Sequence, residues 1–132
     1  MIRSVFRVLF VLSAGSLWSL AAWVTPTLFR AQGDRHVAGV LAARLFSIET
    51  YVVIAAAVLA LLLPGRTRMG GVYAAAGLLA VNEWVLKPLM ESARSHGSAA
   101  GLSFGAWHGV SAVLYVVACL AVLLVVWKEN LR

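Results

Sequence analysis

Acid is scarce in this chain. Five Asp and Glu stand against eleven Lys and Arg in 132 residues, and charged residues together make up only 12%. A single cysteine, Cys119, excludes an intramolecular disulfide framework and any Cys-x-x-Cys redox or metal motif. There is no His-x-x-x-His pair, no phosphate-cradling glycine loop, no nucleophile–base pair and no carboxylate motif for hydrolysis. What remains is apolar: 62% of the residues are hydrophobic and the mean hydropathy is +0.91. A soluble domain of this length could not hide so much apolar surface, so the solvent must be largely lipid. The net charge of +6 comes from residues scattered at the ends of apolar segments, with no basic stripe. Anionic lipid headgroups therefore explain it better than nucleic acid.

The length allows one domain, residues 1–132, with no sizeable extramembrane module. Four apolar stretches, at about 5–28, 37–63, 69–90 and 104–127, each approach or exceed the ~20 residues that cross ~30 Å of hydrocarbon. Every backbone amide in lipid must be satisfied within its own segment, and the runs lack strand alternation, so the segments read as helices. The expected fold is an all-α integral membrane four-helix bundle, antiparallel and up-down. The basic N-terminus with its apolar run resembles a signal peptide. The run from Val5 to Phe29 is longer than a signal core, however, and reads as a retained first span. Pro26, Pro64-Gly65 and Pro88 read as helix breakers at the rims.

Arg3, Arg7, Arg66, Arg68, Lys128 and Arg132 fall on one side of this threading, and Arg30, Arg35 and Arg94 on the other. The excess places both termini in the cytoplasm of a multi-pass protein of the bacterial inner membrane. Trp23, Trp84 and Trp107 then mark the outer interface and Trp127 the inner one. The outer loop Glu91–Ser103, rich in Ser, Ala and Gly, reads as mobile. Gly105 and Gly109 form a G-x-x-x-G on the fourth span, read first as packing inside the bundle and second as a face for a second copy or a membrane partner subunit.

The few ionisable residues fall at one depth. Arg44, Glu49, Glu83, Lys87 and His108 share one half of the threaded bundle, with Asn82 beside them. Glu83 and Lys87 are spaced i,i+4 in the orientation that favours an ion pair. His108, Ser111, Tyr115 and Cys119 form a polar stripe on the fourth span, which Ser16, Ser19 and Trp23 face from the first. Cross-pairs of Arg44 with Glu83 and of Glu49 with His108 would satisfy the whole group. Two readings stand side by side. In one, two acids and two permanent bases cancel and lock the register of the bundle. In the other, Glu49, Glu83 and His108 make a cation or proton site guarded by Arg44.

No cofactor is required by the sequence. His36, His96 and His108 all lie on the outer side with Asp34 and Glu91 in the loops, which reads as solvated histidines before it reads as a zinc or copper site. A haem would take His108 as one axial ligand and need Met90 or a partner subunit for the other.

Three groups of residues carry a resemblance across almost the whole chain: Trp18 with Pro26-Thr27-Leu28-Phe29; Ala38, Gly39, Leu41, Ala42 and Arg44-Leu45-Phe46; and Phe104, Trp107-His108-Gly109, Ser111, Leu114 and Tyr115. They resemble a bacterial family of small four-span proteins of unknown function, itself similar to the eukaryotic transmembrane protein 205 proteins. More distant likenesses are to copper-resistance D membrane domains and to the small haem-binding protoporphyrinogen oxidase. The resemblance implies a four-helix membrane fold and directs attention to Pro26, Arg44, Glu49, Trp107 and His108. It implies no established activity, and the drug tolerance associated with the eukaryotic relatives favours metal handling. The expected function is thus a non-enzymatic membrane protein with an outward-facing polar pocket that binds or moves a small cation or metal complex. The alternatives are a haem-binding oxidoreductase and an assembly subunit of a larger membrane complex.

Overall fold

A computed structural model describes residues 2–62 and 70–130, and those residues are helical with no strand. They form four rods. The first joins α1 (Ile2–Ser19), a π-helical segment (Leu20–Val24) and α2 (Thr25–Ala31). The second is α3 (Arg35–Leu61). The third joins α4 (Gly70–Val81), a second π-helical segment (Asn82–Leu86) and α5 (Lys87–His96), and the fourth is α6 (Phe104–Asn130). A rod of 27 residues, such as α3 or α6, is about 40 Å long at 1.5 Å per residue. Three stretches are long and apolar enough to cross a membrane: Val8–Ala31, Arg35–Leu61 and Phe104–Lys128. The third rod is as long but carries Asn82, Glu83, Lys87, Glu91 and Arg94. The expected Pro64-Gly65 stop, with Arg66 and Arg68, lies outside the described residues.

Neither Pro26 nor Pro88 ends its helix, contrary to the reading of both as rim breakers. α2 continues to Ala31 and α5 to His96, each with its proline in the first turn after a π-helical segment. Proline cannot donate to the carbonyl one turn back and its ring crowds that carbonyl. Adding a residue to the preceding turn relieves the crowding, and lipid offers no water to accept an open helix end. The wider turn is closed by Thr25 N–H donating to Leu20 O in one rod and Lys87 N–H to Asn82 O in the other. The Thr25 hydroxyl adds a 2.8 Å bond to the same Leu20 carbonyl. Both π-helical segments contain a Trp-Val pair, Trp23-Val24 and Trp84-Val85, and each interrupted rod is followed by an unbroken helix of 27 residues. The chain thus repeats one hairpin design twice.

The rods alternate in direction. Phe10 packs with Ala57, Ala60, Val72 and Val125 at one end, while Ala14 and Leu17 meet Val53, Ala75, Leu79, Tyr115 and Ala118 further along. Around the bundle the order is α1, α3, α4, α6 and back to α1. Much of the buried set is alanine, with Ala38, Ala75 and Ala118 fully covered. Lipid tails are as apolar as leucine, so helices associate through close backbone approach rather than hydrophobic burial, and small residues permit it.

The connection between the third and fourth rods is shorter than the loop Glu91–Ser103 expected from its composition. Residues up to His96 are helical, and Gly97, Ala100 and Gly101 have positive φ in a tight turn. That turn is closed by reciprocal Ala99–Leu102 backbone bonds of 2.9 and 3.0 Å and by the Trp107 indole donating to Ala99 O at 2.8 Å. At the other connection, the Asp34 carboxylate caps α3 by accepting from His36 N–H at 2.7 Å.

Candidate functional site

Each neighbouring pair of rods is tied by a side-chain hydrogen bond, and the four ties form a belt. Between α1 and α3, the Ser16 hydroxyl bonds Glu49. Between α3 and the third rod, Ser47 Oγ lies 2.9 Å from both carboxylate oxygens of Glu83. Between the third rod and α6, Ser111 Oγ donates to Asn82 Oδ1 at 2.6 Å. Between α6 and α1, the Tyr115 hydroxyl donates to Leu17 O at 2.9 Å, with the Tyr115 ring edge-on to Phe46 at 4.8 Å. Ser16, Ser47, Glu49 and Glu83 all sit near the middle of their rods, so Glu83 is not near the end of its helix, where the expected third span placed it. The reason is that the third rod runs past Pro88, which moves Glu83 from near a helix end to its midpoint.

The π-helical segment sets this geometry in the third rod. Asn82 and Glu83 occupy its first two positions, so the wider turn carries one towards α6 and the other towards α3. Lys87 begins the next α-helix and reaches back along the i,i+4 face, its Nζ 2.8 Å from Glu83 Oε1 and 2.6 Å from Ser47 Oγ. The Glu83 side chain keeps 13% of its surface and that of Lys87 44%. The carboxylate is therefore enclosed while the lysine stem lies along the bundle with its head turned inward. Tyr51 and Trp84 lean together beside this group, with ring centroids 6.3 Å apart.

Glu49 is different. It is half-buried, and among the described residues its partner is the Ser16 hydroxyl rather than a base. The cross-pairs of Arg44 with Glu83 and of Glu49 with His108 are not made, because Lys87 and Ser47 occupy Glu83 and Ser16 occupies Glu49. Arg44 is exposed on α3. His108 is exposed on α6 and stacks on Phe104 at 5.9 Å, away from the belt, while Arg94 covers the Phe104 ring at 4.6 Å. Sequence reasoning missed Ser47. Its signal was a lone hydroxyl in the run Leu45-Phe46-Ser47-Ile48, where lipid leaves a hydroxyl few partners other than a neighbouring helix.

Gly105 and Gly109 do not serve the bundle's packing as expected: a Cβ at Gly109 would meet nothing, and one at Gly105 only Ser103 Oγ at 4.0 Å. Both lie on an exposed face. Among the described residues no three metal-ligating side chains gather, and His36, His96 and His108 belong to different helices. An open apolar groove along α2, lined by Trp23, Val24, Thr27, Leu28 and Ala31, contains none of the belt residues.

The tie between α6 and α1 is neutral and should contribute little. Tyr115→Phe removes the bond to Leu17 O while keeping the Phe46 contact. The expected loss is about 1 kcal/mol or slightly less, read as a small drop in the thermal unfolding midpoint in detergent with the helix content unchanged.

Residues 8–99 match the family described as a domain of unknown function, DUF4149, and the chain belongs to it. The match takes in the first three rods and ends in the turn before α6. No curated protein and no solved structure matches the chain.

Proposed function

We propose, taking membership of this uncharacterised family as the premise, that the protein is a four-span protein of the bacterial inner membrane, with both termini cytoplasmic, that binds or moves a small cation. The third rod completes the fourth span, since its charged residues are either paired, as Glu83 is with Lys87, or near its end, as Glu91 and Arg94 are. The Lys and Arg excess supplies the orientation. The likeness to the transmembrane protein 205 proteins fits the same architecture.

The observation that carries the cation reading is Glu49. A charged side chain in the middle of a span costs on the order of 3 kcal/mol and ordinarily marks a pathway. Glu83 has its counter-charge in Lys87, whereas among the described residues Glu49 has only a hydroxyl. The bundle thus holds one carboxylate with a structural partner and one left open to a cation. Glu49→Gln in vesicles containing the purified protein should abolish cation-dependent flux or binding while the bundle stays folded. Glu83→Gln should retain it, because that residue serves the contact between α3 and the third rod. Equal flux in wild type and Glu49→Gln would remove the reading.

A second reading, an assembly subunit of a membrane complex, draws on the open Gly105/Gly109 face. Its check is co-purification from membranes in mild detergent, where loss of the partner in Gly109→Leu would favour it.

A further inference from the structure

The geometry points to a proton as the cation, carried on Glu49 itself: the acid sits neutral between α1 and α3 and is the exchangeable proton site of the belt. This inference rests on the cation reading above and names its ligand.

The hydrogen count supports it. Ser16 Oγ has one proton and two acceptors, Ser13 O at 3.1 Å and Glu49 Oε1. If Glu49 is ionised, its two oxygens accept from that single hydroxyl, and Ser16 must abandon the Ser13 carbonyl. If Glu49 is neutral, its own O–H donates to Ser16 Oγ, which then donates to Ser13 O, and each polar hydrogen has an acceptor. The same count gives the opposite answer at Glu83. There the Ser47 hydroxyl is likewise shared, between Ala43 O at 3.0 Å and the carboxylate, but Lys87 Nζ donates to both Glu83 Oε1 and Ser47 Oγ, so the ionised form keeps a cationic donor whichever way Ser47 turns.

Among the described residues, no cation is paired with Glu49. From α6 the Tyr115 hydroxyl and the Cys119 thiol lie near enough to interact with it electrostatically, and both are acids. From α1 it receives the Ser16 hydroxyl, and in the third rod Lys87 is committed to Glu83 and Ser47. On its own helix Arg44 is five residues away and exposed, about 140° around the axis at 100° per residue. Among the described residues, an ionised Glu49 would have the Ser16 hydroxyl as its donor and no cation beside it.

A hydrophobic carbodiimide tests this directly, because it reacts with a neutral carboxylic acid in an apolar setting. The acid O–H adds across one C=N bond, and the O-acylisourea rearranges to a stable N-acylurea with nothing lost. Dicyclohexylcarbodiimide added to the wild-type protein in lipid vesicles should label Glu49 and spare Glu83, as mapped by peptide mass spectrometry. Labelling should fall as the pH is raised, because the carbodiimide reacts with the protonated acid. The infrared stretching band of a protonated carboxyl should also be present in wild type and Glu83→Gln and absent in Glu49→Gln. Labelling of Glu83 as fast as Glu49, no labelling of either, or a band that survives Glu49→Gln would overturn the proposal. The wild-type labelling does not depend on any variant folding. If Glu49 labels and titrates but flux is unaffected by Glu49→Gln, the proton site stands and the transport reading falls. If flux needs Glu49 and no label forms, the reverse holds.

Discussion

Lys87→Met destabilises the bundle by roughly 3 kcal/mol, and adding Glu83→Gln restores most of the loss. The reason lies in what each change leaves behind. Glu83 is enclosed between α3 and the third rod, and Lys87 is its only counter-charge among the described residues. Removing the lysine leaves a desolvated carboxylate with a single hydroxyl donor, and the cost of that stranded charge exceeds the worth of the pair it came from. Removing both charges leaves an amide that can still bond Ser47, close to the original packing. Because Lys87 is about half exposed, the loss falls at the low end of the range for buried pairs. Equilibrium unfolding of the wild type, both single variants and the double variant, in one detergent, gives the cycle. Additive losses would mean that Glu83 and Lys87 do not depend on each other, and the central tie between α3 and the third rod would be lost with them. Glu49→Gln gives a contrast, since it strands no charge and should leave stability within about 1 kcal/mol of wild type.

Much of this was legible in the sequence, for physical reasons that can be named. The all-helical fold followed from apolar runs too long and unalternating for strands. Glu83 and Lys87 were readable as a pair from their spacing, and Asn82, Ser111 and Tyr115 as polar positions facing neighbours. Arg44 and His108 were not separable from the belt by depth alone. Depth fixes where a residue lies along a rod but not which way round it points, and both point outwards. The π-helical segments were hidden because proline in a soluble chain usually marks an end, where water takes the freed carbonyls. In an apolar run that outlet is missing, so Trp23-Val24 before Pro26 and Trp84-Val85 before Pro88 mark a widened turn instead. The composition of Glu91–Ser103 misled in a similar way. Its Ser and Ala extend a helix to His96, and its glycines serve positive φ at Gly97 and Gly101 rather than looseness. The G-x-x-x-G at Gly105 and Gly109 pointed to the right kind of contact at the wrong place.

That contact is at Gly71, where α4 lies against α6 with no room for a Cβ. A Cβ there would lie 2.6 Å from Ala121 O and 2.5 Å from Val125 Cγ2. The valine side chain can rotate, but the Ala121 carbonyl is part of the α6 backbone and cannot yield without moving the helix. Gly71→Ala therefore forces the two helices apart although it adds one methyl, and Gly71→Leu wedges them further. Separation unseats Val72, Ala75 and Leu79 from Ala118, Val122 and Val125, the side chains that fill both core clusters. In lipid these contacts are the main attraction between helices, so their loss is not offset by a hydrophobic term that favours regrouping. The expected cost is about 2 kcal/mol for Gly71→Ala and 3 kcal/mol or more for Gly71→Leu. Gly77, six residues along the same helix, is the internal control. A Cβ there meets open space, and Gly77→Ala should be neutral or stabilising by up to about 1 kcal/mol through helix propensity. Thermal melts of the three variants in one detergent separate the outcomes. If Gly71→Ala unfolds with Gly77→Ala rather than well below it, α4 and α6 do not touch there, and the Asn82–Ser111 tie that depends on their alignment would have to be withdrawn as well.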